Sequence, residues 1–212
     1  MKKLIAKHLL SIKAVFFRPD EPFTWASGII SPVYCDNRLT LSDHRVRTDI
    51  ETGLSKLIRE HFPETEALMG TSTAGIPHAA ITAHIMGLPM GYVRAGEKGH
   101  GRRNRIEGRL ELGQKVCVVE DLISTGGSVI EVCEALREEG AEVLGVVCIF
   151  TYGLKKGIER LRTAGIKAVS LTDFDTVAEV AAEEGYIHSD DIERLIAFRN
   201  NPADRSWMGV GK

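Results

Sequence analysis

Apolar positions along the chain alternate between two spacings, and each change of spacing marks a change of element. Short runs of apolar, often β-branched residues occur at 67–71, 90–93, 116–119, 143–150 and 168–171, a length and composition that predict strands buried on both faces. Between them the spacing opens to three and four residues, predicting helices over 76–86, 129–139 (closed by Gly140) and 154–164. Two more helical stretches, 177–184 and 190–199, follow the last strand. Upstream, Asp43 is an N-cap for a helix that carries Val46, Ile50, Leu54, Leu57 and Ile58 on one face and ends near Pro63. The first fifteen residues read as an amphipathic helix with Leu4, Ile5, Leu9 and Ile12 inward. Strands alternating with helices of this length imply parallel βαβ units and a sheet covered on both faces, the α/β class.

Residues 16–40 break the pattern. Pro19, Pro22, Gly28 and Pro32 divide them into short extended pieces, which predicts an irregular N-terminal cap, or hood, and not a core layer. The expected organisation is one domain of 212 residues: an N-terminal helix and cap to about 40, an α/β core over about 41–200, and a polar tail over 201–212. With 27 basic against 29 acidic residues, bulk charge gives no footing to a dedicated nucleic-acid binder or to a membrane surface. The basic N-terminus has no apolar run long enough for a signal peptide or a span. Cys35, Cys117, Cys133 and Cys148 are scattered without a C-x-x-C pair, and two fall inside strand runs, so reduced thiols and a cytoplasmic protein are expected.

In an open parallel sheet, ligands collect beyond the carboxyl ends of the strands, and three loops there are chemically equipped. The first, KVCVVEDLISTGGS over 115–128, joins an apolar run to two carboxylates, Glu120 and Asp121. It then opens through Leu122 and Ile123 into Ser124, Thr125, Gly126, Gly127 and Ser128 before a helix. Small hydroxyl and glycine residues at a helix start leave backbone N–H groups free to surround a phosphate, and the carboxylates are placed to grip sugar hydroxyls. The loop lacks the lysine of a nucleotide-triphosphate loop and the G-x-G-x-x-G of a dinucleotide fold. The second loop, TSTAGIPHA, presents Thr71, Ser72 and Thr73 at another helix start, again suited to an anion. The third, residues 94–109, carries four glycines, six basic residues and two acidic ones; a loop of that length inside a compact domain is functional or disordered, and a flexible basic surface or an RNA-binding arm is the alternative to an anion-handling loop. His78 and His84 lie six apart on a helix, not on one face, which disfavours a metal pair.

The 115–128 pattern resembles the phosphoribosyl diphosphate motif of type I phosphoribosyltransferases. Together with FTWASGIISPVYCDNR at 23–38, TAGIPHA and YVRAGEKGHG, it resembles the orotate phosphoribosyltransferases collinearly over nearly the whole chain. The resemblance implies the type I phosphoribosyltransferase fold, a central and mainly parallel sheet flanked by helices under a small N-terminal cap. It implies transfer of 5-phosphoribosyl to N1 of orotate in pyrimidine synthesis. The loop 122–128, with Thr71, Ser72 and Thr73, would bind phosphoribosyl diphosphate. Glu120 and Asp121 would face the sugar, and Arg94, Lys98 and His100 the diphosphate. Ser124, Tyr34 and Cys35 would meet orotate. Mg²⁺ would be held mainly by substrate oxygens, with Glu120 and Asp121 as candidate protein contacts. A homodimer is implied, with the basic loop reaching the partner's site. Ala26, Ala74 and Ala95 stand where many relatives carry lysines, and Tyr152 where many carry an arginine, with Arg102 or Arg103 as candidate compensation. Transfer to a purine or another pyrimidine, and a non-catalytic ligand-sensing regulator of the same fold, are the rival readings.

Overall fold

The apolar runs pair into a six-stranded sheet in a computed structural model that describes residues 1–25, 28–94 and 105–209. In chain order the elements are α1 (Lys2–Ser11), β1 (Val15–Phe17), β2 (Phe23–Thr24), β3 (Ile30–Ser31), β4 (Val33–Cys35), a 3-10 turn at Asn37–Ser42, α2 (His44–His61), β5 (Ala67–Thr71), α3 (Gly75–Met86), β6 (Met90–Val93), β7 (Ile106–Glu107), β8 (Lys115–Ile123), α4 (Gly127–Glu138), β9 (Glu142–Thr151), α5 (Lys155–Thr163), β10 (Ala168–Asp173), α6 (Phe174–Glu183), α7 (Asp191–Asn200) and a final 3-10 turn at Ser206–Met208. The sheet order is β10-β9-β8-β5-β6-β7, parallel except for β7, which pairs antiparallel with β6. From β5 the chain first builds outward to β6 and later resumes on the other side at β8. The crevice between β5 and β8 is therefore the topological switch point, where ligands bind in such sheets.

Alternate residues of the central strands enter two cores. Leu68, Cys117, Val119, Val147 and Ile149 face one, and Ala67, Met69, Val116, Val118, Val146 and Cys148 the other. Continuous apolar runs are what such double burial requires. In α1 the buried face is Ile5, Ala6, Leu9 and Leu10, while Leu4 is 46% exposed, so the inward stripe is rotated from the expected one. The rotation follows from its neighbours, because α1 packs on α6 and β10 and belongs to the main core, leaving the cap to start after it.

The strand holding the acids is longer than its apolar run. β9 accompanies β8 through Glu120, Leu122 and Ile123, so the ladder on that edge carries the carboxylates into the strand despite their low strand propensity. On the other edge, pairing with β5 stops at Gly70 against Val119. α6 begins at Phe174, three residues before the apolar spacing predicts, because Asp173 caps it by accepting from Thr176 N at 2.9 Å.

The cap is two antiparallel pairs, β1–β4 and β2–β3. An aromatic column ties it to the core. Trp25 lies 4.9 Å from Tyr152 and 6.1 Å from Phe198, centroid to centroid, and Phe198 lies 5.7 Å from Trp207 in the final turn. Among the described residues, no helix is long and apolar enough to cross a membrane.

Candidate active site

A cavity of about 490 Å³ opens at the switch point. Its wall is made by Cys35 to Arg38 from the cap, Thr71 to Ala74 after β5, Val93 and Arg94 at the end of β6, Arg105, Glu120 to Leu122 of β8, and Ser128, Glu131 and Val132 of α4. The three loops predicted to carry chemistry therefore meet the cap around one space.

Glu120 lies deep in it, 6% exposed, and its Oε1 accepts from Thr71 Oγ1 at 2.6 Å and from Asp121 N at 2.9 Å. Burial, reinforced by the adjoining Asp121 carboxylate, holds the Glu120 carboxyl well above the usual carboxylate range. A cation brought into the cavity would favour its ionised form, so the pair is poised to answer positive charge.

Beyond β8, Gly126 takes a left-handed conformation, φ 74°, and hands the chain to α4 without a side-chain cap. Among the described residues, the N–H groups of the first turn of α4 thus have no side-chain cap, beside the cavity-lining Ser128, an arrangement suited to a phosphate. The loop rests on α5. Arg160 Nη1 donates to the Thr125 carbonyl at 3.3 Å, and Gly157 lets the helix approach so closely that a Cβ there would land on the Ser124 carbonyl oxygen. Ile123 is buried in the core and serves the loop through its main chain, its carbonyl accepting from Tyr152 N at 2.9 Å.

On the opposite wall, Ser72 Oγ donates to the Val93 carbonyl at 2.8 Å, which fixes the turn between β5 and α3; the Ser72–Thr73 peptide bond is cis. Arg94 Nε lies 3.0 Å from Glu107 Oε1, and Arg94 N donates to the Arg105 carbonyl at 2.8 Å, so the basic segment is closed at its base. Lys98 and His100, with Ala95, Gly96, Gly99, Gly101, Arg102 and Arg103, lie outside the described residues, as does Ala26.

From the cap, Cys35 reaches the cavity, while Tyr34 is 40% exposed and packs its ring 5.7 Å from Phe23. Burial raises the Cys35 thiol well above its ordinary value, with Asp121 and Asp36 adding to the effect, which keeps it protonated. Tyr152 is 3% exposed in the aromatic column, so at this position the chain supplies packing and not charge. His78 is fully buried and bonded to Glu51 Oε1 at 2.6 Å, joining α3 to α2, while His84 faces solvent.

Four residues with clear roles carry no expectation from the sequence: Asn37, Arg38, Gly157 and Arg160. Gly157 left a readable signal, an isolated glycine inside a helical pattern. Asp36 clamps Arg38 through bonds of 2.6 Å from Nε and 2.7 Å from Nη2, and this pairing holds Asp36 below its usual range. Among the described residues no group of three or more His, Cys, Asp or Glu side chains forms a metal cage. Glu120 and Asp121 offer a hard, two-carboxylate set, which suits a Mg²⁺ ion that keeps waters and substrate oxygens as its other ligands.

A family model for the phosphoribosyl transferase domain matches residues 40–181. Over 208 residues the chain is 60% identical to the orotate phosphoribosyltransferase of Bacillus subtilis (strain 168), covering 98% of this chain and 96% of that protein. It is similar to the solved orotate phosphoribosyltransferase from Aeropyrum pernix, with TM-score 0.76 and 31% identity over 86% of this chain and 99% of that one. It is also similar to Leishmania donovani UMP synthase, with TM-score 0.80 and 25% identity over 93% of this chain and 42% of that longer one.

Proposed function

Because the chain belongs to the phosphoribosyl transferase family, and within it to the orotate phosphoribosyltransferases, we propose that it moves 5-phosphoribosyl from phosphoribosyl diphosphate to N1 of orotate. The products are orotidine 5′-monophosphate and diphosphate. The observation that carries the reading is the convergence, in one cavity, of the buried Glu120 and its half-buried neighbour Asp121, the start of α4 and Arg94.

Breaking the bond to diphosphate leaves a cation-like sugar while negative charge builds on the leaving group, so catalysis is a matter of positioning and electrostatics. Glu120 and Asp121 hold the ribose hydroxyls and answer the cation. The main chain of 122–128 wraps the 5-phosphate. Thr71, Ser72 and Thr73, with Arg94, Lys98 and His100, receive the diphosphate. Ser124 and the Tyr34–Cys35 main chain hold orotate, whose plane is set by the cap. Each donor removed costs about 3 kcal/mol, roughly a hundredfold in rate. Glu120 and Asp121, together with substrate oxygens, would hold Mg²⁺, which would supply positive charge beside the departing diphosphate.

The working form is a homodimer in the cytoplasm, in which each basic loop serves the partner's site; four free cysteines, three of them buried, support a reducing compartment. A panel of bases tests the reading: protein, Mg²⁺ and phosphoribosyl diphosphate with orotate, uracil or hypoxanthine, following loss of the free base. Orotate turns over. Turnover of hypoxanthine or uracil without orotate sinks the assignment.

A further inference from the structure

β8 loses one neighbour partway along. β5 pairs with it only as far as Val119, while β9 continues to Ile123. Glu120 Oε1, which takes the Thr71 hydroxyl at the end of β5 at 2.6 Å, also lies against the Asp121 N–H, so Asp121 is turned to the side where β5 has ended. A strand rung is missing there, and two side chains replace it. Glu120 Oε1 takes the Asp121 N–H at 2.9 Å, and Asn37 Nδ2 donates to the Asp121 carbonyl at 2.7 Å, across 84 positions of sequence.

Asn37 is itself fixed. It is 1% exposed, its Oδ1 accepts from Cys35 Sγ at 3.2 Å, and its main-chain carbonyl accepts from Thr40 Oγ1 at 2.6 Å. An aspartate in its place would set acceptor against acceptor, and an apolar side chain would leave the Asp121 carbonyl without this donor.

We propose that Asn37 is a positioning residue for phosphoribosyl transfer: its amide completes the edge of β8 and sets the attitude of the Asp121 carboxylate from the cap. The proposal rests on the reading of Asp121 as the sugar-facing acid. The cap thereby does more than cover the base, because its seat on the core and the geometry of the acid pair are joined by one hydrogen bond.

The test compares native protein with Asn37→Ala and Asn37→Asp, measuring kcat, both KM values, thermal midpoint and a pH profile. Native turnover of orotate checks the underlying assignment separately, and its absence would count against that assignment alone. Asn37→Ala is expected to lower kcat by about 10- to 100-fold with both KM values within about twofold of native, the mark of lost alignment and not of lost binding. In Asn37→Asp the carboxyl donates to the Asp121 carbonyl only when protonated. The ratio of its kcat to the native value therefore climbs as pH falls from about 8 to about 5, with Glu120, Cys35, Asp36 and Arg38 common to both proteins. A native kcat in Asn37→Ala, whatever its thermal midpoint, overturns the proposal, as does a change confined to KM. If the alanine variant does not fold, Asn37→Ser decides, because its hydroxyl is too short to reach the Asp121 carbonyl: a native kcat in that variant overturns the proposal.

Discussion

Replacing Gly157 by alanine sets two effects of opposite sign against each other. In an exposed helix interior the change would stabilise α5 by about 1 kcal/mol. Here the added methyl falls on the Ser124 carbonyl oxygen, with the Thr125 Cα at 3.4 Å and the Ser124 carbonyl carbon at 3.5 Å leaving nowhere to turn. Main chain cannot rotate away as the end of a long side chain does, so loop and helix must part by about 1 Å to restore an ordinary contact. Such overpacking costs about 1–3 kcal/mol, which cancels or exceeds the helical gain. The larger effect falls on chemistry, since a shift of about 1 Å in a positioning loop costs roughly a hundredfold, or about 2.7 kcal/mol of transition-state stabilisation. The assay is kcat/KM for phosphoribosyl diphosphate at saturating orotate, followed through orotate absorbance, with a parallel thermal melt. A variant with kcat/KM within about threefold of native and a raised melting temperature would show that only the helical effect operates, and would refute the claim that α5 seats the loop.

Asp121→Asn and Lys98→Ala each keep the fold, checked by circular dichroism, and lose roughly a hundredfold in kcat; full activity in both would mean that the chemistry lies elsewhere. Mixing these two variants restores about a quarter of native activity if subunits exchange and loops act across the interface, because half the dimers are mixed and each contains one intact site. Glu120→Gln alters how stability depends on pH. The native carboxyl is raised above its unfolded value of 4.5, so above that pH the folded state retains a proton that the unfolded state releases, and stability falls as pH rises toward the folded value. The glutamine variant should show a smaller loss of melting temperature between about pH 5 and 9, and an unchanged slope would exclude Glu120 as its source. Thr71→Val removes a donor from a buried carboxyl, and urea denaturation should register about 1–3 kcal/mol of lost stability; no loss would argue that the 2.6 Å bond is energetically idle.

The core strands could be read from the chain because burial on both faces demands apolar residues at every position, as Val116 to Val119 provide. The extension of β8 through Glu120 and Asp121 was hidden for the same reason, since carboxylates are poor strand formers and only the company of β9 keeps them in the ladder. β7 is two residues long inside a basic stretch, too short for any periodicity to register. At the site, the loop proposed to hold phosphate announces itself by local composition, but Asn37 does not, because its partner lies 84 positions away and a solitary asparagine in a turn looks like any other. The buried stripe of α1 is not legible in the chain for a similar reason: Leu4 and Leu10 are equally apolar, and contact with α6 and β10 chooses between them.

The aromatic column also has an optical consequence. The chain has two tryptophans, and both lie against Phe198 within the column: Trp25 in the cap, partly exposed, and Trp207 in the final turn, 1% exposed. Any displacement of the cap changes the polarity around one indole while the other stays sealed. The emission spectrum is thus a sum of a reporting fluorophore and an internal reference, and cap movement during turnover becomes visible in unlabelled protein as a change in the ratio of red to blue emission.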